Sequence, residues 1–130
     1  MYSPTPCTLE GDWRKGTVRE AVALNVPLVA RAEPAHPGAL PRRWSLVSAS
    51  ASNLVIETVK NAEDDARLVV RLYESSGQRG RATLRFGRPL LEGWECNLME
   101  EDDRPVSFSG TELLLDYLPY EVRTFKVRLA

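Results

Sequence analysis

Carboxylates crowd one short stretch of the chain, between two segments rich in β-branched residues. Glu63, Asp64 and Asp65 follow each other in "ETVKNAEDDARLVVRLYE", residues 57–74. Glycoside hydrolysis uses two carboxylates about 5–9 Å apart across a sugar, so an acidic catalytic centre is one interpretation. Asn and Asp side chains also bond to their own nearby backbone and favour turns. We therefore favour a hairpin loop over residues 61–66, with its carboxylates in water and outside any catalysis.

Other residues that could do catalytic or metal chemistry are few. His36 is the only histidine, and it lies in the proline-rich segment "RAEPAHPGALPRR". A Ser/His or Cys/His dyad needs a nucleophile beside it, and no motif supports that arrangement. Zinc sites use three or four ligands at recognisable spacing, which one histidine and the distant Cys7 and Cys96 do not provide. The residues are therefore typical of a non-catalytic module without catalytic or metal-ligating side chains of its own.

Composition limits the partners and the compartment. The chain has 130 residues, 17 Lys and Arg, and 18 Asp and Glu, so its formal net charge of −1 argues against nucleic-acid binding. No apolar run approaches the roughly 18 residues needed to cross a membrane, and no signal peptide is visible. Two distant cysteines favour a reducing cytoplasm. The acidic run at residues 100–103 is typical of a solvated loop.

Proline divides the chain into two parts. Six of the nine prolines fall within residues 1–45, where they remove backbone donors and disfavour central strands. We expect residues 1–43 to form an irregular arm over a sheet in a single domain. Within it, "TVREAVALN" at residues 17–25 fits either one or two helical turns or a short edge strand.

Residues 44–130 alternate with the period of β-strands. The segments "ARLVVRLYE" (66–74), "RATLRF" (81–86) and "EVRTFKVRL" (121–129) each set an apolar row against a mixed row. Between the first two lies "SSGQRG", which predicts a glycine-bearing hairpin loop. Seven or eight short strands with little helix signal predict an all-β fold, an antiparallel β-sandwich. A closed barrel is the second choice.

Aromatic and charged residues on these strands have two interpretations. Trp13, Trp44 and Trp94 are typical of core residues in a small β domain, although an exposed tryptophan can form a sugar platform. Strict alternation places Arg71 and Glu74 on opposite faces of their strand. A charged group buried there must be paired, since an unpaired buried charge is costly.

The segment "SLVSASASNLVIETVKNAEDDARLVVRLYESSGQRGRATLRF", residues 45–86, resembles the C-terminal β region of glycoside hydrolase family 38 α-mannosidases, cytosolic type. The family-like order is "ETVK" at 57–60, "AED" at 62–64 and "RLYE" at 71–74, followed by a glycine loop. Upstream "GDW" (11–13) and "NVPL" (25–28) are similar to the segment that precedes this region. "PYEVRTFKVRL" at 119–129 is similar to the closing strand, so the resemblance covers nearly the whole chain.

The resemblance implies a part of an enzyme that removes terminal α-linked mannose. Such enzymes carry a divalent metal, usually zinc, and an Asp nucleophile in an N-terminal α/β catalytic domain. No residue of this chain matches those positions, so the resemblance implies no cofactor and no catalytic residue here. The implied role is an accessory domain in the cytoplasm that packs on the catalytic domain of the same polypeptide. Its other expected partner is a mannose-containing oligosaccharide, with no nucleic acid or membrane.

Five residues are candidates for contacts at the rim of the sugar site or at the domain interface: Lys60, Glu63, Arg71, Tyr73 and Glu74. The loops at residues 61–66 and 75–80 are the segments that would carry such contacts. An exposed apolar patch is expected where the rest of the enzyme packs. The alternative is an independent β-sandwich module that binds carbohydrate or protein, and a stand-alone enzyme is the least favoured interpretation.

Overall fold

Two antiparallel sheets dominate the computed structural model, which describes residues 11–39, 41–101 and 104–130. The strands are β1 Val47–Ala49, β2 Leu54–Asn61, β3 Leu68–Glu74, β4 Gly80–Phe86, β5 Leu90–Cys96, β6 Arg104–Pro105, β7 Phe108–Ser109, β8 Glu112–Tyr117 and β9 Val122–Leu129. The four-stranded sheet has the order β1-β4-β8-β7, and the five-stranded sheet has the order β2-β3-β9-β5-β6. Every strand pair is antiparallel, and the predicted β-sandwich is confirmed.

The core lies between the two sheets and follows from the alternating sequence. Leu72 and Phe125 of the five-stranded sheet and Leu84 and Leu113 of the four-stranded sheet are fully buried. They belong to one cluster of buried residues contributed by both sheets. Burying each such side chain contributes about 1.5–3 kcal/mol. The sandwich therefore holds together because both sheets present an apolar row to the same interior.

The two predicted hairpins have different outcomes. Residues 61–66 do join a hairpin, in which Asn61 pairs with Leu68 and the Ala62 amide donates to the Arg67 carbonyl at 2.8 Å. The hairpin predicted for "SSGQRG" is wrong, because β3 and β4 belong to different sheets. The loop between them connects the five-stranded sheet to the four-stranded sheet. Both strands have an apolar row, and the two rows face each other across the interior, so the strands do not pair.

A β-bulge interrupts β2 and changes which side chains face outward. The pairing with β3 shifts between Ile56 and Thr58, so that Glu57 has no direct partner. Ile56 pairs with the core residue Leu72, whereas Lys60 pairs with Val69 on the outer face. Uninterrupted alternation would have placed Lys60 on the same side as Ile56. The extra residue of the bulge reverses that assignment.

The described part of the segment before the sandwich, residues 11–39, contains helix rather than strand. Met1–Gly38 and Ala39–Ala130 are separate compact units. In the first unit a short 3-10 helix at Trp13–Lys15 is capped by Asp12, whose Oδ1 accepts from the Arg14 amide at 2.9 Å. Helix α1 spans Thr17–Asn25, which was the first of the two predicted alternatives. The boundary between arm and sandwich at residue 43 stays a prediction. Cys7 lies outside the part of the chain that is described.

Candidate interaction site on the five-stranded sheet

The outer face of the five-stranded sheet is buried at its centre, although it points away from the sandwich core. Val69, Thr124 and Lys126 lie there, and Lys126 is only 4% exposed. Val69 pairs with Lys126, and Arg71 pairs with Thr124 in the neighbouring row. The segment at residues 97–101, which we call the cover loop, contacts these two rows. The sandwich therefore has a third, partial layer on this side.

The cover loop is closed by its own hydrogen bonds. The side-chain oxygen of Asn97 accepts from the amides of Met99, at 2.8 Å, and Glu101, at 3.0 Å. The Asn97 amide donates to the Glu101 carbonyl at 3.0 Å. Glu100 has a φ of +64°, in the left-handed region that non-glycine residues enter with some strain. These contacts fix the loop into one tight turn.

Glu100 attaches the cover loop to β2 and to the hairpin that follows it. Its Oε1 lies 2.6 Å from the Lys60 ammonium, and its Oε2 accepts from the Glu63 amide at 3.1 Å. The hydrogen bond with Lys60 holds the pKa of Glu100 below its usual value, against the effect of burial. The Lys126 ammonium donates to the Glu100 carbonyl. The acidic run was predicted to be a solvated loop, and this is wrong for Glu100, which is 7% exposed.

Arg71 holds the other end of the loop. Its Nη2 donates to the Leu98 carbonyl at 3.1 Å, and its Nε donates to Thr124 Oγ1 at 3.3 Å. Tyr73 follows two residues later on the same face, paired with Val55 and with Val122. Arg71 and Tyr73 therefore belong to the outer face, as the alternation of the strand predicted.

Glu74 lies on the opposite, inward side and is 1% exposed. Its carboxylate accepts from Asn53 Nδ2 at 2.9 Å and from the amides of Ser76, Gly77 and Tyr120 at 2.8, 2.7 and 3.0 Å. Burial alone would raise its pKa, but these hydrogen bonds outweigh burial and hold the pKa at about 2. The buried Glu74 carboxylate is therefore paired, as expected, but its partners are N–H donors rather than a cation.

Three of the five candidate residues meet, and two do not. Lys60, Glu63 and Arg71 all contact the cover loop. Tyr73 lies in the neighbouring row, and Glu74 is turned inward. Sequence reasoning missed Glu100 and Lys126. The alternation of β9 could have placed Lys126 on the outer face of the sheet. Nothing in the sequence distinguishes Glu100 from the acidic residues that follow it.

The acidic residues of the hairpin have different surroundings. Asp65 binds Arg67, with Oδ1 2.7 Å from the Arg67 amide and Oδ2 2.5 Å from the guanidinium. The Arg67 side chain is the main reason that the pKa of Asp65 falls to about 2. Asp64 is exposed to solvent. Across the residues that the structure describes, no group of three or more His, Cys, Asp or Glu side chains is placed to hold a metal ion.

The outer face of the four-stranded sheet has a different character. Arg81 pairs with Asp116 at 2.8 Å, and Arg85 pairs with Glu112 at 2.7 Å, all with side chains open to solvent. Exposed ion pairs of this kind contribute about 0–1 kcal/mol each and suit a surface that stays in water. The two outer faces of the sandwich are therefore chemically unlike.

A cavity of about 340 Å³ opens at one end of the sandwich. Its wall includes Trp44, Arg88 and Arg128, with Leu68 and Val127 among the apolar residues. Trp44 is about half exposed, so the prediction that it is a core residue is wrong. A Cβ at Gly87 would lie 2.7 Å from its ring, so the glycine allows the indole to lie close against the backbone. This volume is at the lower end of the range for ligand pockets, ~300–1,000 Å³.

These features define an antiparallel β-sandwich domain in which charged side chains attach a loop to one outer face. Residues 53–125 match the glycosyl hydrolases family 38 C-terminal beta sandwich domain, and the chain belongs to this family. The match contains all five candidate residues, and the resemblance found in the sequence is confirmed. None of the described helices is long and apolar enough to cross a membrane.

Similar proteins extend the match toward the N-terminus. Alpha-mannosidase 2C1 of Mus musculus is 36% identical over 114 residues, which are 84% of this chain and 11% of that protein. Alpha-mannosidase 2C1 of Homo sapiens is 35% identical over 112 residues, 82% of this chain and 11% of that protein. Alpha-mannosidase G of Dictyostelium discoideum is 31% identical over 90 residues, 63% of this chain and 8% of that protein. The chain thus spans about a tenth of the length of these relatives.

Proposed function

We propose that the chain is a non-catalytic C-terminal accessory domain of an α-mannosidase, a glycosidase that cleaves terminal α-linked mannose. The observation that carries the proposal is the match to a C-terminal sandwich domain, in a chain that covers only 11% of its α-mannosidase relative. The catalytic groups, and the divalent metal with zinc as the expected ion, then belong to another part of the polypeptide. The cytoplasm remains the predicted compartment.

The domain acts by packing against the catalytic part and by shaping the rim of its sugar site. Lys60 and Arg71 support this role, because they fix the position of the cover loop through the contacts at Glu100 and Leu98. Tyr73 lies on the same face, in the row next to that of Arg71. Glu74 contributes indirectly, since its buried carboxylate holds the two loops at residues 75–79 and 118–121. The rest of the enzyme and a mannose-containing oligosaccharide are the proposed partners.

The experiment compares the polypeptide encoded by the complete reading frame with a version lacking residues 39–130. Hydrolysis of an aryl α-mannoside and the midpoint of thermal unfolding are measured for both, and for the 130-residue chain alone. We expect the complete polypeptide to hydrolyse the substrate, the truncated one to lose activity or stability, and the chain alone to be inactive. Hydrolysis by the chain alone, or a truncation without any effect, contradicts the proposal.

Alanine substitutions separate packing from a contact at the sugar rim. Lys60→Ala, Arg71→Ala and Tyr73→Ala are made in the complete polypeptide, with Arg81→Ala on the opposite face as the control. A raised KM at unchanged stability supports a contact at the rim. Lowered stability at unchanged KM supports packing. If all three variants match the control in both measurements, the proposed role of these residues is wrong.

The Trp44 cavity favours a second candidate function, an independent module that binds carbohydrate or protein. A half-exposed indole beside the guanidinium groups of Arg88 and Arg128 combines a stacking surface with hydrogen-bond donors. Mannosides titrated onto the 130-residue chain test this function, with Trp44→Ala as the control. Affinity tighter than about 1 mM, roughly −4 kcal/mol, that disappears in the variant supports the module. If mannosides do not bind at that level, the proposal of a carbohydrate-binding module is wrong.

A further inference from the structure

We propose that the cover loop and the apolar row beside it form the surface through which this domain docks on the rest of its own polypeptide. The inference rests on the proposed function and specifies the face that carries it out. It concerns the outer face of the five-stranded sheet, and it assigns the opposite face to solvent.

The tip of the cover loop presents apolar side chains to solvent. Leu98 is 61% exposed and Met99 is 76% exposed, although the loop that carries them is closed and attached at both ends. Leu98 lies over Arg71, and the next row of the same face contains Tyr73 with the half-exposed Val122. Rows on one face of a strand are about 7 Å apart, so these side chains belong to one surface.

Attaching the cover loop to the sheet requires the desolvation of two charged side chains. Lys126 and Glu100 are almost fully removed from water, and buried charges stabilise a fold weakly once desolvation is counted. Their contacts hold the loop backbone in a single turn, including a left-handed residue. A surface that is already ordered loses less entropy when it binds. A rigid, apolar tip held by buried charges therefore suits a permanent packing contact.

The opposite face lacks this character. There four of the exposed side chains form the ion pairs Arg81–Asp116 and Arg85–Glu112, which would have to be desolvated in any packed interface. Charged residues are depleted at interface cores for this reason. The occupant is the remainder of the polypeptide, because the segments that match this chain make up only 11% of the length of the relatives.

The chain provides a matched pair of residues for the test. Leu98 on the proposed docking face and Leu114 on the opposite face are the same residue type, and each is 61% exposed. Leu98→Asp and Leu114→Asp are introduced separately into the 130-residue chain and into the complete polypeptide. In the 130-residue chain we expect both variants to unfold at the same midpoint as the parent, because neither side chain is packed.

In the complete polypeptide the two variants should differ. Limited proteolysis should release the domain roughly tenfold faster from Leu98→Asp than from the parent, whereas Leu114→Asp should match the parent. Hydrogen exchange gives a second measurement without any substitution. Amides of residues 97–101 should exchange at least about tenfold more slowly in the complete polypeptide than in the 130-residue chain, if the loop is covered there.

Each other outcome overturns the inference. Equal behaviour of Leu98→Asp and Leu114→Asp, or equal exchange of the loop in both proteins, means that the loop remains in solvent. A dimer of the 130-residue chain in sedimentation that Leu98→Asp disrupts assigns the face to a second copy. A change in KM alone assigns it to substrate. These results leave the proposed function intact, because that proposal fails on separate observations: hydrolysis by the 130-residue chain alone, or removal of residues 39–130 without any effect on activity and stability.

Discussion

Replacing Glu74 with glutamine should destabilise the 130-residue chain by about 3 kcal/mol at pH 7. Each carboxylate oxygen accepts two hydrogen bonds: Oε1 from Asn53 and the Ser76 amide, and Oε2 from the amides of Gly77 and Tyr120. A glutamine places an NH2 group where one oxygen was, so either orientation leaves at least one backbone N–H without its acceptor. A buried donor without an acceptor costs about 1–3 kcal/mol, and the hydrogen bonds to the charged acceptor are lost as well.

The pKa of Glu74 gives the same magnitude by a separate route. Folding lowers it from 4.5 to about 2, and each unit corresponds to about 1.4 kcal/mol, so the ionised carboxylate contributes at most about 3 kcal/mol. Because the folded pKa is the lower one, this stabilisation is complete above pH 4.5 and is lost as the pH falls through 2. The stability difference between the parent and Glu74→Gln should therefore shrink between about pH 5 and pH 2.

Urea unfolding followed by tryptophan fluorescence measures this difference at a series of pH values. Glu112→Gln is the control, since Glu112 forms an exposed ion pair with Arg85 and should contribute less than about 1 kcal/mol. The reasoning is refuted if Glu74→Gln unfolds within about 0.5 kcal/mol of the control, roughly the spread of neutral surface substitutions. It is also refuted if the difference from the parent is the same at pH 7 and pH 2.

Two further substitutions test the loop attachment and the Trp44 site. Glu100→Gln should accelerate hydrogen exchange of the cover loop at neutral pH. Its effect on the unfolding midpoint should fade below pH 4.5, because folding lowers the pKa of Glu100. An unchanged exchange rate contradicts the role of the contact between Glu100 and Lys60. Gly87→Ala should destabilise the chain by about 1–3 kcal/mol and shift the Trp44 fluorescence, because the new Cβ would lie 2.7 Å from the indole and 2.5 Å from the Ser45 carbonyl. Gly38→Ala, with its nearest neighbour 4.0 Å from the added Cβ, is the neutral control, and equal behaviour of the two variants would contradict this geometry.

Part of the candidate site was accessible from the sequence and part was not. The alternation of β3 correctly placed Arg71 on the opposite side from Glu74. The position of Lys60 could not be predicted by alternation, because the bulge at Glu57 reverses the faces for the rest of β2. The burial of Glu100 depends on Lys60 and Lys126, which are 40 and 26 residues away along the chain. No local pattern reports such a contact.

The sequence by itself determined that this chain is an antiparallel β-sandwich and that it is similar to the C-terminal region of family 38 enzymes. Period-two alternation is a local property, because successive side chains of a strand point to opposite sides whatever the strand pairs with. The order of the short motifs between residues 45 and 86 is likewise fixed by the chain alone.

Only the tertiary structure decided which strands pair and which charged groups are buried. The loop at residues 75–80 was predicted to join a hairpin, yet it connects the two sheets, because an apolar row can be buried by a facing strand as well as by a neighbour. The cover loop is attached to the five-stranded sheet by Arg71 and Lys126, which donate to its carbonyl groups. Alternation shows which side of a strand is apolar, but hydrogen bonds between distant segments decide what lies against that side.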